Sequence, residues 1–137
     1  PVKRVKIPKG PGKTRPLGIP VVKDRIVQTA LKMAIEPIFE KEFEESSYGF
    51  RPERGCKDAL REVERLINNG FTHVVDADLA SYFDTIPHDR LMESVEMRIS
   101  DGRLLELIRG YLKQDVVSDL KRWTPVGGTP QGAVMTP

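Results

Sequence analysis

An apolar, β-branched run that leads into two aspartates constrains this chain more than any other stretch. Residues 74–84 read VVDADLASYFD, and the start of this run predicts a buried strand with Asp76 and Asp78 where it should end. A strand end is rigid and lifts a side chain toward solvent, where a carboxylate can hold a divalent cation through its oxygens. The same residues also fit a strand followed by a polar turn whose two aspartates are merely solvated.

Charge is distributed unevenly along the chain. Residues 1–25 carry eight Lys or Arg against one Asp, a net charge of +7, so the other residues carry a net −5. A basic arm on a mildly acidic body indicates a polyanion partner bound at one end. The alternative is a solubilising tail, although ordered apolar residues such as Val5 and Ile19 are unusual in such a tail.

Composition narrows the class of protein. A length of 137 residues predicts one domain or a piece of one, and 39% hydrophobic with 31% charged residues fits a globular chain. No apolar run approaches the roughly 20 residues that span a bilayer, so we predict no membrane partner. The single cysteine, Cys56, excludes an internal disulfide framework and favours a reducing compartment, so we predict a cytoplasmic location.

The N-terminal segment has the pattern of a β-hairpin. Residues 2–7 and 15–22 predict its two strands, and residues 8–13 form a Gly/Pro-rich tip. Prolines in the second strand predict that it lies at a sheet edge. Backbone amides freed by the tip glycines, together with Lys9 and Arg15, could grip a triphosphate, although many hairpin tips are basic.

Apolar residues recur at helical spacing through most of the remaining chain. A first helix follows Asp24, and Pro37 should kink it or end it near Ile35. A second covers residues 56–68, with Cys56 on its apolar face, which makes this cysteine a predicted core residue and not a nucleophile. Two further helices follow residue 87, the later one capped by Ser100 or Asp101. A short strand is predicted at Val116 and Val117.

A loop between the first two helices is open to two interpretations. Residues 48–52 read YGFRP. The aromatic residues could simply pin the loop to the core. Alternatively, Arg51 could contact a phosphate while an aromatic ring packs on a sugar or base.

Four motifs in order give the chain a family resemblance. They are RPLGIP at 15–20, YGFRP at 48–52, DLASYFD at 78–84 and GTPQG at 128–132. This set resembles the reverse transcriptases encoded by group II introns and their bacterial relatives. The resemblance implies an α+β right-hand polymerase fold in which amphipathic helices pack on a small antiparallel sheet, with the N-terminal hairpin added. Residues 1–70 would then be fingers, and 71–137 the N-terminal part of the palm.

The resemblance also implies roles for individual residues. Asp78 matches the first catalytic aspartate, a Mg²⁺ ligand, and the carbonyl of Leu79 would add an oxygen ligand. Phe83 matches the aromatic beneath the incoming sugar, whose ring would collide with a 2′-hydroxyl and favour deoxynucleotides. The role of Asp76 stays open, and Asp84 is interpreted as structural. The remaining implied residues hold the triphosphate or line the nascent base pair and template: Lys9, Arg15, Gln131 and Gly132.

The implied reaction is attack of a DNA primer 3′-hydroxyl on the α-phosphorus of a dNTP, directed by an RNA template. Two Mg²⁺ ions carry a charge of +4, and Asp78 alone cannot hold both. The family supplies further aspartates from an Ala-Asp-Asp hairpin downstream of the last motif here. We therefore expect residues 1–137 alone to be inactive, with an incomplete palm sheet and a tendency to form a homodimer through the fingers or the exposed palm edge.

Two other functions compete with polymerisation. The first is a non-catalytic splicing module that grips intron RNA through the basic arm. The second is a nucleotide-sugar glycosyltransferase, because residues 76–78 fit an Asp-X-Asp metal motif. That short motif explains neither the 48–52 loop nor the 128–132 segment, so the glycosyltransferase is the weaker of the two.

Overall fold

A computed structural model describes residues 1–119, 121–129, 132 and 134. It confirms the α+β class, and none of its described helices is both long and apolar enough to cross a membrane. In chain order the elements are β1 (Val2–Gly10), β2 (Lys13–Pro20), α1 (Val22–Phe39), a 3₁₀ turn (Glu40–Glu42), α2 (Cys56–Asn68), α3 (Tyr82–Thr85), α4 (His88–Glu96), α5 (Gly102–Leu112), β3 (Val116–Ser118) and β4 (Lys121–Trp123).

One four-stranded sheet, in the order β2-β1-β3-β4, carries the N-terminal hairpin. The hairpin β1–β2 is antiparallel, and β2 lies at the sheet edge as its two prolines predict. The sheet is mixed and not wholly antiparallel, because β1 and β3 run parallel, with Val2 opposite Val116. A parallel pair needs a long crossover, and the helices between β1 and β3 supply it.

The chain divides into two compact units, and the first comprises Pro1–Ile35 and Ala80–Pro137. One face of α5 packs in the core of this first unit, and its residues Leu105, Ile108 and Leu112 are buried at helical spacing. Asp101 caps this helix, as predicted: its Oδ1 accepts from the N–H groups of Arg103 at 2.8 Å and Leu104 at 3.1 Å. The other buried apolar residues of this unit are Val2, Leu31, Met92, Ile99 and Val116.

The second unit, Glu36–Leu79, contains α2. This helix has the predicted bounds, but its apolar face is exposed: the exposed fraction of Leu60 is 67%, and Val63 and Ile67 are also exposed. Cys56 is exposed as well, so its prediction as a core residue is wrong. The helix forms without burial because its backbone hydrogen bonds are internal to the segment.

The predicted buried strand at the start of residues 74–84 does not form. Residues 71–79 have no regular secondary structure, and the exposed fractions of Val74 and Val75 are 86% and 94%. A strand satisfies its N–H and C=O groups only through a neighbouring strand. The described strands pair among themselves in the sheet β2-β1-β3-β4, and none of them pairs with this segment.

The sequence allows two outcomes at Pro37, a kink in the first helix or an end of the helix near Ile35. Instead of ending near Ile35, α1 continues through Pro37 to Phe39, and the 3₁₀ turn Glu40–Glu42 follows. Pro37 lies two residues before the helix end, where it removes a single intrahelical hydrogen bond. The loss of one hydrogen bond does not prevent the helix from continuing for two residues beyond the proline.

Candidate functional site

Two segments far apart in sequence are joined by backbone hydrogen bonds in the first unit. The N–H of Gly128 donates to the carbonyl of Ile86 at 2.8 Å, and the N–H of Thr129 donates to the carbonyl of Phe83 at 2.7 Å. These bonds tie the end of the DLASYFD motif to the start of the GTPQG motif. The backbone that carries the predicted sugar-contacting ring is therefore tied to Gly128 and Thr129, which precede the predicted base-pair-lining residues Gln131 and Gly132 in the chain.

Gly128 allows this close approach because it has no side chain. Its φ is +76°, in the left-handed region. A Cβ at this position would lie 2.6 Å from the Asp84 carbonyl oxygen and 2.9 Å from the Phe83 carbonyl oxygen. Both are backbone atoms and cannot rotate away. Any residue with a Cβ would therefore push the two backbones apart at this position.

His88 adds a side-chain contact to the same framework. Its Nε2 lies 2.7 Å from the carbonyl oxygen of Gly128. A carbonyl can only accept, so Nε2 carries the proton and donates. No local sequence pattern indicates this contact, because the partner of His88 lies 40 residues away along the chain.

The GTPQG motif also reaches the RPLGIP motif. Gly132 has a φ of +90°, and a Cβ there would overlap the Cδ1 of Leu17. Close by in the chain, the N–H of Val134 donates to the buried Oε1 of Gln28 at 3.2 Å. Gln131, the other predicted residue of this segment, lies outside the described residues. The structure thus brings Gly132 next to the strand that carries Arg15.

A cavity of about 360 Å³ opens between the base of the hairpin and residues 127–129. The guanidinium of Arg4 lies 5.8 Å from the ring centroid of Trp123 on its wall, a cation–π geometry. Asp84 and Thr129 also line it. The Thr129 hydroxyl is buried and finds no hydrogen-bond partner in the described part of the chain. This cavity has the planar cation, aromatic ring and polar groups that suit part of a nucleotide.

The hairpin presents its cations to solvent. Lys9 and Arg15 are both exposed, on β1 and β2 respectively. The chain reverses through Gly10 and Gly12, whose φ values are +134° and +69°. Positive φ at both residues explains why the tip is built from glycine. Exposed cations on a hairpin are suited to binding an anion.

The predicted metal ligands lie in the second unit. Asp78 and Leu79 are both exposed. In residues 1–119 and 121–129, with 132 and 134, no group of three or more His, Cys, Asp or Glu side chains is placed to hold a metal. One carboxylate and one carbonyl fit the oxygen preference of Mg²⁺ but do not complete a site for two ions. Phe83, in the first unit, is half-buried and packs edge-to-face on Tyr82, with centroids 5.6 Å apart.

The loop at 48–52 is held by its arginine. The Arg51 side chain is only 7% exposed, and two of its nitrogens donate to Glu40 Oε1 at 2.9 and 2.7 Å. It also donates to the carbonyls of Glu44 at 2.7 Å and Ser47 at 2.9 Å, and it lies 5.1 Å from the ring centroid of Phe43. These contacts occupy the guanidinium, which favours a loop-holding role over contact with a phosphate.

The α+β fold, the exposed cations of the hairpin and the hydrogen bonds between the DLASYFD and GTPQG segments are the features to compare with known families. The sequence matches the family described as reverse transcriptase (RNA-dependent DNA polymerase) over residues 7–137. The chain belongs to this reverse transcriptase family. Its relatives place it among the group II intron-encoded reverse transcriptases and maturases, which confirms the resemblance drawn from the four motifs.

The relatives are longer than this chain. It is 47% identical to Protein YkfC of Escherichia coli, covering all of this chain and 37% of that protein. It is 36% identical to the group II intron-encoded protein LtrA of Lactococcus lactis, again over the whole chain but only 23% of LtrA. The chain thus spans between about a quarter and two fifths of these relatives.

A solved structure supports the fold. A chain of a partial Cas6-RT-Cas1–Cas2 complex superposes with a TM-score of 0.60 at 23% identity, covering 98% of this chain and 23% of the other. At this identity the likeness concerns the fold alone. It agrees with the fingers and partial palm architecture, while the division of the chain at residue 70 stays a prediction.

Proposed function

We propose that this chain forms the nucleotide-binding fingers and the first part of the palm of a group II intron-type RNA-directed DNA polymerase. The observation that carries the proposal is the joining of the Phe83 segment to Gly128 and Thr129 by two backbone hydrogen bonds in a reverse transcriptase family member. Through these bonds, the backbone of the ring proposed to select the sugar is tied to the start of the segment proposed to meet the base pair.

The residues divide the work by their chemistry. Lys9 and Arg15 hold the triphosphate through charge-assisted hydrogen bonds. The Phe83 ring supports the incoming sugar and rejects a 2′-hydroxyl. Asp78 and the Leu79 carbonyl supply oxygen ligands for Mg²⁺, which when bound lowers the charge on the triphosphate and favours attack by the primer 3′-hydroxyl. Template RNA, DNA primer and dNTP are therefore the proposed ligands, with Gln131 and Gly132 against the nascent base pair.

Primer extension tests this function. Residues 1–137 with an RNA template, a DNA primer, dNTPs and Mg²⁺ should give no product, because two oxygen ligands do not hold two ions. The full-length polypeptide that contains this chain should extend the primer, and Asp78→Asn should abolish extension. Asp119→Asn is the matched control, because Asp119 is an exposed aspartate outside the proposed site whose φ of 45° asparagine tolerates. Template-dependent synthesis by residues 1–137, or by the Asp78→Asn protein, would refute the ligand assignment.

The basic arm supports a second function, binding of intron RNA without catalysis. A net charge of +7 in residues 1–25 predicts an affinity that falls steeply with salt. Replacing Lys9 and Arg15 by glutamine should lower the slope of log affinity against log salt by roughly 0.7 for each phosphate that the variant no longer neutralises. Binding that survives Asp78→Asn while extension is abolished separates this function from polymerisation.

Self-association and location complete the proposal. The exposed apolar face of α2 supports a homodimer through the fingers. Sedimentation velocity of the parent and of the Leu60→Glu variant measures this self-association. A cytoplasmic location is proposed from the chemistry of one free thiol, Cys56.

A further inference from the structure

The N–H and the carbonyl of Gly128 are held by two residues that are two apart in sequence. Its N–H donates to the Ile86 carbonyl at 2.8 Å, and its carbonyl accepts from His88 Nε2 at 2.7 Å. With the bond from Thr129 N–H to the Phe83 carbonyl, these three contacts form one unit, which we name the brace. The brace closes a short ring from Ile86 through Gly128 to His88.

We propose that His88 is a positioning residue that fixes the Phe83 segment relative to Gly128 and Thr129, and thereby sets discrimination between deoxyribonucleotides and ribonucleotides. This inference rests on the proposed polymerase function. His88 does not touch the nucleotide in this proposal. It acts through the peptide group between Gly128 and Thr129, whose carbonyl accepts from His88 and whose N–H donates to the carbonyl of Phe83.

An aromatic ring must be placed finely if it is to distinguish a sugar with a 2′-hydroxyl from one without it. A 2′-hydroxyl differs from a hydrogen by a single oxygen atom, so the ring must be held within about 0.5 Å of its productive position. The carbonyl of Phe83 accepts one hydrogen bond of the brace, from the N–H of Thr129. Removing the His88 donor leaves the Gly128 carbonyl, a partly buried acceptor, without its side-chain partner and loosens residues 127–129 against Phe83.

The position of His88 favours this role over simple space filling. It is the first residue of α4, so its backbone is fixed by a helix that packs against α5 in the core. Its ring also lines a cavity of about 230 Å³ between these helices, beside Met92 and Leu112. A bulky apolar ring could fill the same space, but only a donor at the Nε2 position can complete the brace.

Three variants separate donor from shape. His88→Phe keeps a ring without a donor, and His88→Gln places an amide N–H near the Nε2 position. His73→Phe is the matched control, because His73 is the other histidine of the chain and its exposed ring lies 3.3 Å from the hydroxyl of the neighbouring Thr72.

The first measurement is single-nucleotide incorporation by the full-length polypeptide, with kcat and KM determined separately for a dNTP and the matching rNTP. His88→Phe should lower the dNTP to rNTP ratio of kcat/KM about five-fold, the factor for a net hydrogen-bond contribution of about 1 kcal/mol. His88→Gln should restore the ratio to within about two-fold, and His73→Phe should leave it unchanged. Equal losses for both nucleotides, or equal ratios for His88→Phe and His88→Gln, would overturn the proposal.

The second measurement needs no catalysis and uses residues 1–137. Amide hydrogen exchange at Gly128 and Thr129 should be faster in His88→Phe by about the same factor and near the parental rate in His88→Gln. If the full-length polypeptide does not polymerise, the proposed function fails while this exchange pattern still decides whether the brace exists. Unchanged exchange in His88→Phe would show that His88 does not hold Gly128.

Discussion

Replacing Gly128 by alanine should destabilise the first unit by about 3 kcal/mol. A φ of +76° costs a residue with a Cβ about 1 kcal/mol. The new Cβ would also lie between 2.6 and 2.9 Å from three backbone atoms of Phe83 and Asp84, so the two segments must separate. Separation weakens the bonds from Gly128 to Ile86 and from Thr129 to Phe83, each worth about 1 kcal/mol net. The total is a large share of a typical stability of about 5–15 kcal/mol.

Gly127→Ala is the matched control for this prediction. A Cβ at Gly127 would lie 3.5 Å from the Ile86 carbonyl oxygen, an ordinary contact, and its φ is outside the left-handed region. Its stability should therefore stay within about 0.5 kcal/mol of the parent. Urea unfolding followed by the fluorescence of Trp123, the only tryptophan, reports on the first unit. If the two variants unfold at the same urea concentration, the close approach of these segments is not present in solution.

Two further predictions concern the second unit and the cap of α5. Arg51→Ala should lower the free energy of unfolding by about 2–3 kcal/mol, because it removes four hydrogen bonds and leaves a half-buried glutamate unpaired. Arg61→Ala breaks an exposed ion pair and should lower it by less than about 0.5 kcal/mol. Urea unfolding followed by circular dichroism compares the two variants. The backbone N–H groups of Leu104 and Arg103 hold the pKa of Asp101 below its usual value. The folded-state pKa is depressed, so this stabilisation is present above the unfolded pKa of about 3.9 and is lost as pH falls through the folded value. Asp101→Asn should therefore show a smaller loss of stability than the parent when urea midpoints at pH 5 and pH 3 are compared, and equal losses would contradict the cap.

Local signals predicted most of the fold of the first unit. The hairpin strands, the cap at Asp101 and the apolar face of α5 depend on residues near each other in sequence, and all three are present. The parallel pairing of β1 with β3 was not predicted, because it joins Val2 to Val116 and no local pattern specifies such a partner.

The candidate site also has one part that the sequence predicted and one part that it did not. The glycine at position 128 carried a sequence signal, because only a residue without a Cβ permits close backbone approach. The identity of what approaches it, the backbone of Phe83 and Asp84, and the contribution of His88 became visible only in three dimensions. In the 48–52 loop, neither interpretation anticipated that Arg51 itself holds the loop through Glu40 and Ser47, and Phe50, one of the two aromatics expected to pin it to the core, is exposed.

In the second unit, the apolar segment 56–68 forms its predicted secondary structure and the segment 74–79 does not. Both expose their apolar side chains: Leu60 on the helix, and Val74 and Val75 in the segment. A helix pairs each N–H with a carbonyl four residues earlier, so α2 satisfies its backbone alone. A strand has no internal partners, and its β-branched sequence becomes a strand only beside another strand. The same residues 74–79 should therefore pair as a strand where a neighbouring strand is supplied, and a gain in amide protection at Val75 on addition of that strand measures this directly.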